Sequence, residues 1–470
     1  MEPAAIAEPP VSDGVQTPQI TVTPLDRASK DPIGLLPGTV TGLPRTMWSA
    51  SPEDILVTLV RAERVDTLPA IQDFMKVLML AEADPPLGAG PEGALFLARV
   101  DKLLDLAALD QAKALIEEAT PDTPALFRRW FDVALLTGSE DDACDVIKNT
   151  PSIAPTYPAR IFCLARNGDW SAAALTLNTH RVLGDINPQE EALLSRFLDP
   201  ELYEDEPPLD PPDRVSPLTF RMHDAIGEPL ITSTLPVAFA HADLRTTTAW
   251  KSQLEAVEKL ARFDAISQNV LQDVYTARTP AASGGIWDRA EVFQTFDAAV
   301  ATGDLAAIAQ SLPPAWDAMR RARAEVPFAK LYGEPIYDLG LAGQAGEIAA
   351  LVGFLSANYE DVALSAGAAR ANPFLAAIAR GVPQEVAVST PKELAIQSAF
   401  NGAPVPPVLQ TLVDEGRLGE ALLRAIAMFN AGFAGDSGAI TDALALFRSV
   451  GLEDLARRAS LQLMILERPT

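Results

Sequence analysis

Short Ala- and Leu-rich segments separated by Gly-containing turns recur along this chain of 470 residues. NGDWSAAALTL at 167–177 is the clearest example, and TGDLAAIAQSL at 302–312 and EGRLGEALLRA at 415–425 repeat its form. Glycine readily takes the left-handed conformation that ends a helix, and an aspartate directly after it can cap the next helix. The recurrence therefore predicts paired helices joined by tight turns.

In the first of these turns, we expect Gly168 to close one helix, Asp169 to cap the next, and Trp170 to anchor the turn. The corresponding turn residues further along the chain are Gly303, Asp304, Leu305, Gly416 and Leu418. We interpret all of them as structural turns of a repeat and not as catalytic loops.

Composition supports a helical fold. Apolar residues make up 48% of the chain, but aromatic residues only 6%. The dominant Ala and Leu have high helix propensity, and segments such as SPEDILVTLVRAERV at 51–65 place apolar residues on one helix face. Because no convincing strand pattern interrupts them, we predict an all-α protein of stacked antiparallel helix pairs.

The turns of the form x-Gly-[Asp/Arg]-[Trp/Leu]-x-x-[Ala/Ile] resemble those of tetratricopeptide-like and related α-solenoid proteins. The strict 34-residue period of that family is missing, so the repeat is a degenerate one. The stretches RVDKLLDL and LFRRWFD also resemble an uncharacterised bacterial family of exported helical-repeat proteins. These resemblances imply a superhelix and an exported protein, but no reaction.

Composition shifts predict the domain organisation. Residues 1–47 are rich in Pro, Gly, Thr and Ser and predict a disordered leader. We expect residues 48–200 to form an N-terminal helical lobe and 218–470 a C-terminal helical lobe. The acidic Pro-rich stretch 201–217 between them is a linker or an ordered crossing loop.

Charge limits the partners that this chain can bind. The net charge of −26 repels phosphate backbones, so we expect no nucleic-acid partner. No apolar run is long enough to span a membrane. The opening MEPAAIAEPP fits a mature N-terminus after removal of a signal peptide, which predicts a periplasmic protein; a cytoplasmic protein is the alternative.

The two cysteines, Cys144 and Cys163, bear on the same question. We place them on successive helices of a hairpin, where they could form a disulfide in an oxidising compartment. The alternative is that each is a small buried apolar residue.

The sequence predicts no catalytic, cofactor or metal site. GDSGA at 435–439 resembles a protease nucleophile segment around Ser437, but no histidine follows residue 241. GLAGQAGE at 340–347 lacks the spacing of a nucleotide-binding loop. His180, His223 and His241 have no nearby cysteine at zinc-site spacing.

These observations predict a non-enzymatic scaffold that binds one or more protein partners of the bacterial cell envelope, with an unknown oligomeric state. The alternative is a ligand-binding protein or enzyme with a pocket between the lobes. The less repetitive stretch 218–287, with His223 and His241, is where we would expect that pocket.

Overall fold

A computed structural model of the chain describes residues 29–466. Within that range the secondary structure is helical throughout, and the only β-type pairings are two isolated bridges, Leu36–Ala81 and Pro52–Leu87. The predicted all-α class is confirmed.

The helices of the first half are short. They are α1 Gly38–Thr41, α2 Glu53–Ala62, α3 Pro69–Leu80, α4 Ala94–Asp105, α5 Leu109–Glu118, α6 Pro124–Thr137, α7 Glu140–Asn149, α8 Tyr157–Arg166, α9 Trp170–Leu183, α10 Pro188–Leu198 and α11 Pro217–Ala225.

The second half begins with a stretch of 3₁₀ helix, Val237–Leu244, and then continues in the same manner. Its helices are α12 Trp250–Ala261, α13 Gln268–Thr276, α14 Ile286–Thr302, α15 Leu305–Ala322, α16 Glu325–Tyr337, α17 Gly343–Leu355, α18 Tyr359–Leu364, α19 Ala366–Ala371, α20 Pro373–Ala379, α21 Pro391–Phe400, α22 Pro407–Asp414, α23 Leu418–Phe433, α24 Ser437–Ser449 and α25 Glu453–Ile465.

Helices that follow one another in the chain are also packed against one another. The most extensive contacts join α23 to α24, α16 to α17 and α14 to α15; they are followed by a pair that is not consecutive, α21 and α24, and then by α8 and α9. Each pair buries an apolar face that a single short helix would leave in water. This packing supports a helical-repeat architecture of the α-solenoid kind.

Buried apolar side chains form two clusters. The larger draws on residues 43–136 and 220–466, and the smaller on residues 127–222. We call the part built from α7 to α11 the disulfide unit; α6 and α11 contribute residues to both clusters. The stretch 201–217, which we predicted as a linker or an ordered crossing loop, lies within this unit: Arg196 donates to the carbonyl of Pro207, and the Leu209 amide donates to Glu228.

The two ends of the described chain pack against each other, which the division into N-terminal and C-terminal lobes did not anticipate. The Ala70 amide in α3 donates to Oε1 of Gln462 in α25 at 2.8 Å. The rings of Phe74 and Phe447 meet edge to face with centroids 6.1 Å apart. Helices far apart in the sequence therefore share one core.

Part of the predicted leader is packed structure. Residues 1–28 lie outside the described residues, but residues 31–36 hydrogen bond to α3 and α4, and Arg45–Met47 packs on α23. The buried guanidinium of Arg99 donates to the carbonyls of Asp31, Met79 and Ala81. Met47 is fully buried. Residues 29–47 of the predicted leader are therefore packed structure, because these backbone carbonyls and side chains complete the core.

Candidate binding surfaces

The structure places the sequence-predicted turn residues between paired helices. Gly168, Gly303 and Gly416 have φ values of 82°, 68° and 75°, all in the left-handed region. The carboxylates of Asp169 and Asp304 accept hydrogen bonds from backbone amides in the first turns of α9 and α15. Arg417, which takes the place of the aspartate in the third turn, gives its helix no side-chain cap.

The apolar residues that follow these glycines differ in burial. Trp170 and Leu305 are each about half exposed, at 50% and 51%, and Leu418 is partly buried. The Trp170 ring lies 6.3 Å from that of Phe197 in α10. It therefore covers the next helix while keeping one side open.

Cys144 in α7 and Cys163 in α8 lie at 0% and 1% exposure, and the structure joins their sulfur atoms in a disulfide. Their Cα atoms are 4.8 Å apart. The bond crosses the centre of the disulfide unit, where α7 and α8 pack together.

The three histidines occupy separate places and form no common site. His180 stacks on Tyr157 and hydrogen bonds to Asp185. His223 is buried, its pKa is lowered by burial, and its Nδ1 has no hydrogen-bond partner in the described chain. His241 pairs through Nε2 with the carbonyl of Ala107, and burial lowers its pKa also.

The two motifs that resemble catalytic loops lie at helix starts. Ser437 begins α24, where the neighbouring Asp436 side chain accepts from two amides of the first turn. Gly340 and Gly343 take positive φ in the connection that leads into α17. Each stretch therefore forms a helix–helix connection.

The neighbouring side chains of Arg128 and Arg129 both contact aspartates of the same chain. Arg129 makes a two-point contact with the carboxylate of Asp101, with both distances 2.6 Å. Arg128 lies 3.7 Å from Asp132. Among the tryptophans, Trp250 and Trp316 are buried, so they serve as core residues.

Helix α9 has an exposed apolar face. Its buried residues are Ala173 and Leu177, and α9 packs mainly on α8 and α10. Leu175 and Val182, seven positions apart on the opposite side, are 68% and 82% exposed, and Leu183 beside them is 66% exposed. We call Leu175, Val182 and Leu183 the α9 patch.

A cavity of about 980 Å³ opens between α11, the segment 229–248 and α12. It lies in the stretch where we expected a pocket, although neither His223 nor His241 lines it. Most of its lining is polar or charged: Arg221, Asp224, Thr232, Ser233, Asp243, Arg245, Thr247, Thr248, Ser252, Glu255, Glu258, Lys259, Arg262 and Arg289.

At one end of the cavity, the buried carboxylate of Glu258 is surrounded by basic side chains. Glu258 receives two hydrogen bonds from Arg289, at 2.8 and 2.9 Å, and one from the hydroxyl of Tyr275 at 2.6 Å. Arg262 lies 3.8 Å from the same carboxylate. Glu258 is therefore paired with Arg289 and flanked by Arg262, so this end is a structural cluster.

At the other end lie Arg221, which belongs to α11 of the disulfide unit, and Arg245, which contacts α6. Arg221 donates to Glu140 and Asp224, and Arg245 donates to the carbonyl of Leu135. The buried Nε–H groups of both arginines have no acceptor in the described chain. Burial and the neighbouring guanidinium of Arg221 lower the pKa of Arg245.

The sequence indicated this region as the place of a pocket, but not the polar and charged residues that line it. The signal available was the stretch LRTTTAWKSQ, in which an arginine precedes three threonines, and the spacing of Ser252, Glu255, Lys259 and Arg262 on one face of α12. The contribution of Arg221 comes from a different helix, and no local pattern indicates it.

No protein-family model, curated protein or solved structure matches this chain. Between residues 29 and 466, no helix is long and apolar enough to cross a membrane. Within the same range, no three His, Cys, Asp or Glu side chains are grouped so that they could hold a metal ion.

Proposed function

We propose that this chain is a non-enzymatic scaffold, built on degenerate tetratricopeptide-like repeats, that binds a protein partner through the α9 patch. The observation that carries the proposal is the exposure of Leu175 and Val182 directly opposite the buried side of α9. In a helical stack each helix buries its apolar residues against the next, and an outermost helix normally presents a polar face. An apolar outer face on α9 therefore fits a helix supplied by another protein.

The charge of the chain indicates the chemistry of that partner. Asp169 and Asp185 stand at the two ends of α9, and the whole chain carries a net charge of −26. A partner helix with an apolar side and flanking basic residues would match both features.

The compartment that we propose is the periplasm of a bacterial cell envelope. The disulfide between Cys144 and Cys163 supports it, since such bonds persist in oxidising compartments and are rare in the cytosol. Thiol trapping in the native host tests this directly: a protected pair is expected, and two free thiols in freshly quenched cells would favour the cytoplasmic alternative.

Affinity capture from the native host, after crosslinking, tests the scaffold function. Three forms are compared: the wild type, the double variant Leu175→Glu/Val182→Glu, and Val408→Glu as a matched control. Val408 in α22 is 71% exposed and lies outside the patch. All of these side chains are in solvent, so the fold should survive, and circular dichroism verifies that it does.

We expect a discrete protein with the wild type and with Val408→Glu, but not with the double variant. After purification, that protein should bind the wild type directly and the double variant at least about tenfold more weakly. Equal recovery with all three forms, or no specific protein, would overturn the proposal.

A further inference from the structure

We propose that the cavity beside α12 binds a small oxyanion, a molecule that carries a phosphate or carboxylate group on a hydroxyl-bearing body, through Arg221 and Arg245. This inference is independent of the protein-binding function, because the cavity and the α9 patch share no residue.

The first argument is charge. Five basic side chains line the cavity in a chain whose net charge is strongly negative. Within the described chain, Arg245 and Lys259 have no carboxylate within 4 Å; Lys259 is held by the carbonyls of Thr232 and Leu235 instead. Burial lowers the pKa of Lys259, with a contribution from Arg262, and the carboxylate of Asp243 opposes the shift only in part.

The second argument is that the acids of the cavity are already engaged. Asp224 is paired with Arg221, Glu258 with Arg289, and Glu255 with Lys251. Asp243 accepts a hydrogen bond from the hydroxyl of Thr232, and burial raises its pKa, which disfavours its negative charge. Burial lowers the pKa of Arg245 and the carboxylates of Glu140 and Asp224 act to raise it, but neither carboxylate lies within 4 Å of its guanidinium.

The third argument is the supply of donors. Unsatisfied buried donors are uncommon in folded proteins, and the Nε–H groups of both Arg221 and Arg245 are of this kind. In the same lining, the hydroxyls of Thr247, Thr248 and Ser252 make no side-chain hydrogen bond within the described chain. Guanidinium groups with neighbouring hydroxyls suit an oxyanion with a polar body, and the cavity volume is that of a small-molecule site.

Calorimetric titration of the full chain tests the proposal with four probes: inorganic phosphate, citrate, glucose 6-phosphate and glucose. We expect binding of at least one anion but not of glucose, with an affinity that falls as sodium chloride is added. The relative affinities for phosphate and citrate distinguish a phosphate ligand from a carboxylate ligand.

Two variants and a control locate the site. Arg245→Gln should weaken binding of the anion by about tenfold or more. Because Arg245 also contacts Leu135, the double variant Thr248→Val/Ser252→Ala removes only free hydroxyls and should weaken binding by about threefold to tenfold. Arg321→Gln changes an exposed arginine paired with Asp317 on α15 and should leave binding unchanged.

Absence of binding up to about 10 mM of every anion would overturn the proposal. So would equal binding of glucose, or affinities that both cavity variants leave unchanged. The α9 variants have no bearing on these outcomes, so failure here and failure of the scaffold function are distinguishable.

Discussion

At the scale of single residues, Glu63 is the clearest case of a group that works against stability. It is 7% exposed, and burial raises its pKa to about 8 although the ammonium of Lys102 opposes the shift. The folded protein thus holds this proton up to about pH 8, whereas the unfolded chain loses it near the ordinary value of 4.5. Since the folded state binds more protons between these values, the free energy of unfolding falls as the pH rises through that window.

Glu63→Gln should therefore raise the free energy of unfolding at about pH 9 by on the order of 2 kcal/mol, and change it little at about pH 5. Urea unfolding at the two pH values measures the difference. A variant that is less stable than the wild type at high pH would show that the ionised carboxylate has a compensating partner.

The short turns were open to sequence prediction because they depend on neighbouring residues alone. A glycine followed by an aspartate already specifies a left-handed residue and a helix cap, which is what Gly168–Asp169 and Gly303–Asp304 form. The packing of Trp48 on Gly419 was not open to prediction, because 371 positions separate the two residues and neither lies in a distinctive motif.

At the scale of helices, the disulfide unit depends on its crosslink. The bond closes a loop of 19 positions between α7 and α8. A crosslink over a loop of this size lowers the entropy of the unfolded chain and so raises its free energy by about 3 kcal/mol. Cys144→Ala/Cys163→Ala should reduce the stability of this unit by a similar amount, about 3 kcal/mol.

Hydrogen exchange measures the effect region by region. Protection should fall in α7 to α10 and remain in α14 to α17, which belong to the larger cluster. Reductant should reproduce the effect in the wild type but not in the double variant. Uniform loss of protection along the whole chain would show that the unit has no stability of its own.

The helices and their pairing could be predicted from local sequence patterns, and the all-α class is confirmed. Which helices pack together into one cluster could not be predicted in this way. The acidic stretch at 201–217 has the composition of a linker, yet Arg196, through Glu206, Pro207 and Glu228, holds it in the disulfide unit. Composition alone cannot indicate such contacts, because they depend on which helices are brought together.

At the scale of the whole molecule, the contact between the two chain ends has a sharp steric requirement. A Cβ atom added at Gly419 would lie 2.1 Å from the fully buried ring of Trp48. Gly419→Ala should therefore cost about 1–3 kcal/mol of stability, even though alanine is the better helix former.

Gly367→Ala in α19 is the matched control, since a Cβ there would meet no other atom within 4 Å. It should leave stability unchanged or raise it by up to about 1 kcal/mol. Thermal unfolding of both variants measures this contrast. Equal stability of the two would mean that the ends of the chain are not packed as described.

The central claim, that the α9 patch is the surface that receives a partner protein, is tested most directly by position-specific crosslinking. A photoreactive residue is placed at Leu175, at Val182, and at the exposed control positions Val408 and Leu364, and each form is irradiated in the native host. The account predicts one discrete crosslinked protein at 175 and 182, with a helix bearing basic residues at the crosslinked site, and none at 408 or 364. The same crosslinked species at all four positions, or none at the α9 positions, would contradict it.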